Sequence, residues 1–171
     1  NSDPLGDVTT AHAFIKSRTG LIANVAAIDW DTYQIVRRHP DLLDQYKSIR
    51  GGMLDEPQVA AAFSVQRLLI SKAVQENARE GGTSSMTSMF GNRCLLAYVN
   101  PGAVGMETRT FGLRFKWRPA GFPADMAVVT KRDEGAGSRW VEVVETHMFQ
   151  AEKIIATDLS YLIDRTISAN A

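Results

Sequence analysis

From Thr110 to Arg118 the sequence TFGLRFKWR alternates without a break. Phe111, Leu113, Phe115 and Trp117 hold the odd positions, and Thr110, Gly112, Arg114, Lys116 and Arg118 the even ones. A period of two fits an extended strand, because successive side chains on a strand leave opposite faces. One apolar face and one basic face predict a half-buried antiparallel strand with its cations outward.

The rest of the chain mixes helical and extended signals. Asp7 is placed to cap a helix running to about Arg18, with Val8, Ala11 and Ile15 on one face and Gly20 as its stop. LIANVAAI, 21–28, is a short apolar run between Gly20 and Asp29 and predicts a buried strand. Asp29 caps a second helix, WDTYQIVRR, with Trp30, Tyr33 and Val36 inward. Pro40 ends that helix, and DLLDQYK adds a further turn or two. Gly51 and Gly52 mark a flexible turn, and Asp55 with Pro57 opens the short helix QVAAAF. RLLISKAV (67–74), RCLLAYV (93–99), MAVVTKR and SYLIDRTI read as strands, with DEGAG a hairpin tip. WVEVVETHMFQAEKIIAT begins as a strand, and its second half fits either state. The fold class is α+β, with helices in the first third and strands after it.

Several function classes have no support in the residues. Lys plus Arg and Asp plus Glu number 19 each, so no global positive field exists to hold nucleic acid nonspecifically. No apolar run approaches the ~18 residues of a membrane span. The start, NSDPLGDV, has no basic region followed by an apolar one and no initiating Met. The expectation is a processed chain or a fragment of a longer one. The histidines, His12, His39 and His147, lack the short spacings of a helical metal site, so no metal ligand is assigned. GGTSSM lacks the Lys-Ser/Thr of a P-loop, GxGxxG and GxSxG are absent, and no cofactor is implied. The only cysteine, Cys94, excludes an internal disulfide and adjoins an apolar strand, where a buried inert thiol is the common case. No catalytic residue is assigned, and the chain is not expected to be an enzyme. One polar stretch stands out, SKAVQENAREGGTSSMTSMFGNRC at 71–94, where Asn77 and Gly81 are suited to shaping turns. Loops of that length are often functional.

The order of segments carries more than any one of them. IDWDTYQIVRRHPDLLDQYK is followed by EPQVAAAFSVQRLLISKAVQENAREGG, then MFGNRCLLAYVNP, then TFGLRFKW. This resembles the major capsid proteins of tailed bacteriophages and prophages. The matching positions are Phe63-Ser64-Val65, Leu68 to Ser71, Ala73, Asn77, Ala78 and Gly81. Phe90-Gly91, Leu96 to Val99, Pro101, Phe111-Gly112 and Phe115 to Trp117 continue the series. VETHMFQAEKIIATDLSYLID is similar to the family's last strands. Ser64 and Ser71 depart from the pattern, standing where glycine is frequent.

The resemblance implies the Hong Kong phage capsid fold, a mixed sheet with flanking helices. Residues 1–139 would be an axial-domain-like region and 140–171 the closing strands of a peripheral domain. The family's N-terminal arm, extended loop and spine helix are not found here, which implies a fragment of a subunit roughly double this length. It also implies a structural subunit that self-assembles into an icosahedral shell enclosing DNA. Its partners would be other copies of itself in pentamers and hexamers, with scaffold, portal or decoration proteins, and DNA only indirectly. The implied location is the virion capsid, and the host bacterial cytoplasm before assembly. No membrane is involved. The alternatives are a shell protein of a bacterial encapsulating compartment, or a hydrolase using the 71–94 loop with Cys94 or a serine as nucleophile and His147 or His12 as base. The subunit-contact candidates are Gly51, Gly52 and Asp55 in one loop, Asn77 in another, and Arg114 and Lys116 on the alternating strand. An acidic patch of Asp41, Asp44 and Asp55 facing a basic one of Arg114, Lys116 and Arg118 on a neighbour is one expected pairing.

Overall fold

The computed structural model describes residues 3–46, 53–102, 105, 108–121, 126–134 and 140–164. Gly51 and Gly52, with most of the loop at 47–55, lie outside the described residues. Helix α1 is Pro4–Thr19. It starts three residues before the expected cap. Asp3, not Asp7, accepts from Gly6 N–H at 2.8 Å, and Pro4 takes the first helical position, where no N–H is needed. Gly20 closes α1 in the left-handed region at φ 73°, its N–H bonded to the Lys16 carbonyl.

Strand β1 is Val25–Asp29, shorter than expected. Asn24 explains the late start. Its side-chain amide donates to the Val99 carbonyl at 2.7 Å and accepts from the Val99 N–H at 2.8 Å. Asn24 thereby closes the end of the sheet with a side chain that acts as backbone. Helix α2, Trp30–Val36, is capped by Asp29 as expected. Helix α3, Pro40–Gln45, shows Pro40 opening a helix as well as following one. Helix α4, Glu56–Ala62, starts after Asp55, whose N–H donates to the Gln58 side chain at 2.8 Å in a capping box. Ser64 follows α4 with φ 55°, the one described non-glycine residue at positive φ. That backbone state is what a glycine would adopt without strain.

The remaining strands are β2 (Arg67–Ser71), β3 (Val74–Glu76), β4 (Met86–Ser88), β5 (Arg93–Ala97), β6 (Gly112–Lys116), β7 (Met126–Glu134), β8 (Trp140–Met148), β9 (Gln150–Ile154) and β10 (Ser160–Asp164). The chain divides into two compact units: Asn1–Phe111 with Ala156–Ala171, and Gly112–Ile155.

The first unit holds a mixed four-stranded sheet in the order β10-β5-β1-β2. β1 and β2 are parallel, which requires the crossover that α2, α3 and α4 supply. β5 is antiparallel to both β1 and β10. Ala26, Ile28, Leu68, Cys94 and Leu96 face the helices and pack with Val8, Ala11 and Ile15 of α1 and with Tyr33, Leu42, Val59 and Phe63. Each fully buried Ile or Leu contributes about 1.5–3 kcal/mol relative to exposure. On the other face the register aligns Leu69, Ala27, Leu95 and Leu162 across all four strands. Leu69 and Leu162 remain exposed there.

The second unit contains two antiparallel strand pairs, β6 with β9 and β7 with β8. Only Phe149 separates β8 from β9, so 140–154 is close to one long strand. None of the described side chains of this unit is buried. The alternating segment is a strand as expected, with its apolar face partly withdrawn from water: Phe111 and Leu113 are intermediate, Phe115 is 45% and Trp117 50% exposed. Alternation sets which side chains share a face; it does not supply anything to cover that face. Residues 135–139, at the expected boundary at 139/140, lie outside the described residues. Hydrogen bonding joins β8 to β7 and β10 to β5.

Candidate subunit-contact surfaces

The 71–94 stretch leaves the sheet after β2 and returns as β5. Between them β3 and β4 form a short antiparallel hairpin, with Val74 opposite Ser88 and Glu76 opposite Met86. Its outer half is held by its own polar groups. Asn77 N–H donates to the Ser85 carbonyl, and its side-chain amide donates to Thr87 Oγ1 at 2.6 Å. The Glu76 carboxylate accepts from Ser84 Oγ at 3.0 Å and from Ser85 N–H at 2.8 Å. Gly81 turns the chain at φ 80°. Val74, Met86 and Met89 are exposed.

The base of the hairpin is fastened by a residue with two duties. Asp29 is only 2% exposed. Its Oδ2 accepts from Asp31 N–H at the start of α2, and its Oδ1 accepts from Ser88 Oγ. Ser88 Oγ in turn accepts from Gly91 N–H at 3.3 Å. Lys72 Nζ lies 4.5 Å from the Trp30 ring centroid, a cation–π contact beside the same base. Sequence reading found Asp29 as a cap and missed its second partner, 59 residues away. Nothing in local spacing marks such a pair.

The other contact candidates already carry structural work. Asp55 is exposed and engaged in the capping box of α4. Asn77 is exposed, with its side chain bonded inside the hairpin. Arg114 is exposed and donates through Nε and Nη2 to Glu152 Oε1, its partner across the β6–β9 ladder, at 2.9 and 2.5 Å. The basic face of β6 is thus partly neutralised within the chain. Lys116 is exposed on the same parity of the strand. Of the acidic set, Asp41 and Asp44 are exposed, and Asp41 also lies 3.5 Å from His39 Nδ1.

The residues weighed for hydrolysis have other surroundings. Cys94 is buried on the helix-facing side of β5, and burial pushes its thiol up to about 12. A thiol so placed stays protonated at neutral pH and is a poor nucleophile. A small cavity of about 60 Å³ beside it is lined mainly by Val8, Ile28, Ile35, Val36 and Phe63. His12 donates through Nε2 to the Phe63 carbonyl at 2.9 Å, which leaves Nδ1 buried without a partner. His147 bonds Glu145 and stacks on Phe149. Among the described residues no group of three His, Cys, Asp or Glu is placed to hold a metal, and no helix is long and apolar enough to cross a membrane.

No protein-family model matches the chain. It is 24% identical over 169 residues to the major capsid protein of Burkholderia phage BcepMu, covering 95% of this chain and 50% of that protein. It is 25% identical over 173 residues to the major capsid protein of Pseudomonas phage JBD67, covering 98% of this chain and 52% of that protein. Its fold is similar to that of a phage-related protein of Bordetella bronchiseptica RB50, with a TM-score of 0.75 and 23% identity over 98% of this chain and 53% of that one. The chain spans about half the length of the curated relatives it matches. Along nearly its whole length the chain is similar to phage major capsid proteins, and its mixed-sheet fold is similar to that of a phage-related protein.

Proposed function

We propose that this chain is part of the structural subunit of a phage or prophage capsid, and that copies of it assemble into an icosahedral shell around DNA. The observation that carries the reading is continuous similarity to two phage major capsid proteins along nearly the whole chain. The chemistry is in keeping with it. The buried Cys94 thiol, held protonated at neutral pH, gives the hydrolase alternative no support as its nucleophile. Exact balance of 19 basic and 19 acidic residues avoids long-range repulsion between copies.

Within that proposal, pentamers and hexamers form through heterologous contacts, in which two different surfaces of each copy meet around a ring. Asp55, Asn77, Arg114 and Lys116 remain candidates for such contacts, as do Gly51 and Gly52. The division into an axial-domain-like region, 1–139, and the closing strands of a peripheral domain, 140–171, belongs to the same proposal. The assembled subunit would be found in the virion, and in the host cytoplasm before that. Scaffold, portal or decoration proteins would be its other partners.

The test is sedimentation and negative-stain microscopy of the protein expressed alone and with its neighbouring genes. Closed shells of megadalton mass are expected. A species that stays small under both conditions would overturn the reading. Shells that enclose a protein cargo and no nucleic acid would replace the virion with an encapsulating compartment.

A further inference from the structure

The second unit raises a physical problem that the first does not. The β7–β8 ladder pairs Met126 with Met148 and Val128 with Thr146. Val144, two residues before Thr146, shares their face. Met126, Val128, Val144 and Met148 are 59, 64, 61 and 58% exposed. Their free parts sum to about 400 Å² of apolar surface, within the range of the largest patches seen on monomers, which are often functional. No described side chain of the unit is buried. A two-stranded ribbon by itself is marginal in water, so its exposed apolar side chains gain by being covered.

We infer that the Met126–Val128–Val144–Met148 face of the β7–β8 ribbon is an interface seated on a second copy of this chain. The inference rests on the capsid reading for the identity of its partner. The area fits. A standard interface buries about 800 Å² per partner, of which about 57% is apolar, or roughly 450 Å². The ribbon face supplies nearly that amount. Beyond Val128 and Thr146 the ladder continues with Thr130 opposite Val144 and Arg132 opposite Glu142, so the candidate surface is the end of the face nearest Met126 and Met148. The apolar end of the face matches another apolar surface, and in a shell the abundant one belongs to a neighbouring subunit. Seating there would withdraw those four side chains from water.

The test is self-association of the protein by sedimentation velocity over a concentration series, with hydrogen exchange at 126–134 and 140–148. Val128→Asp with Val144→Asp is expected to weaken association at least tenfold. Exchange in the ribbon of the parent is expected to slow as concentration rises, and in this variant to stay fast. The milder pair Val128→Thr with Val144→Thr keeps β-branched side chains and decides the matter if the aspartates melt the ribbon. It should weaken association severalfold while exchange at 112–116 and 150–154 is retained. Shells that form from both double variants as from the parent would overturn the inference and leave the capsid reading intact. A parent that associates through this face but builds no shell with its neighbouring genes would do the reverse. A parent that neither associates nor builds shells overturns both.

Discussion

The two units differ in where their apolar residues go. In the first, Ile15, Ile28, Leu42, Leu54 and Leu96 are fully withdrawn from water between one sheet face and the helices. In the second, residues of the same kinds, Val128, Val144, Met126 and Met148, stand more than half exposed. Both contain well-formed strand ladders. The contrast teaches that regular hydrogen bonding and alternation do not make a core. A core needs a second layer: helices supply one in the first unit, whereas no described side chain of the second is buried.

The largest test of that contrast is a matched pair of truncations. Ile28→Ala should destabilise the protein by about 2–5 kcal/mol in urea titration, since it opens a cavity in a packed core. Phe115→Ala should change the same midpoint by less than about 0.5 kcal/mol, as an exposed substitution. Equal losses would erase the distinction between the units.

Asp29→Ala comes next. It removes a helix cap and the acceptor for Ser88, so a loss of about 2–3 kcal/mol is expected. Trypsin should then cut faster at Lys72 and Arg79, because the hairpin has lost its fastening. Unchanged cleavage would mean that β3–β4 is held by something other than Asp29.

Ser64→Gly works in the opposite direction. Ser64 occupies the left-handed region, which disfavours a Cβ by about 1–2 kcal/mol. Freed glycine entropy in the unfolded chain offsets part of this, so a net gain of about 0.5–1 kcal/mol is expected. A loss would show that the serine side chain makes up for its strain.

Cys94 gives a prediction in pH. Its thiol is raised from the ordinary 9.0 to about 12 by burial. A raised folded value means that the unfolded state releases its proton first. Stability from this group is complete below about pH 9 and falls as pH rises from 9 towards 12. Cys94→Ala should flatten that alkaline decline, and a disulfide reagent at pH 7.5 should react with the parent only when the sheet opens. Rapid reaction in the native state would contradict the burial.

The smallest effect belongs to the surface. Arg114→Ala should cost no more than about 0.5 kcal/mol, because both it and Glu152 are exposed and salt screens the pair. If the same change abolished assembly while stability held, Arg114 would be a contact residue after all. Charge reversal at Arg114 and Lys116, with and without reversal at Asp41, Asp44 and Asp55, extends this test. Restoration by the double reversal is the expected sign of the acidic–basic pairing between neighbours.

Much of the local structure was legible in the residues. Asp29 and Asp55 announce helix starts, Gly20 announces a stop, and the alternation around Phe111–Trp117 announces a strand, because caps and periods act over a few residues. The order of those segments also pointed to the phage family. Even the departure at Ser64 had a local meaning, since the position requires a positive φ. What only the tertiary structure decided is how distant pieces meet. Asn24 bonds Val99 across 75 positions and Asp29 bonds Ser88 across 59. β10 joins β5 rather than its nearer neighbours in sequence. Whether an apolar strand face is buried belongs to the same class. A strand displays its apolar residues wherever it lies, and the cover that removes them from water comes from another part of the chain, or from another molecule.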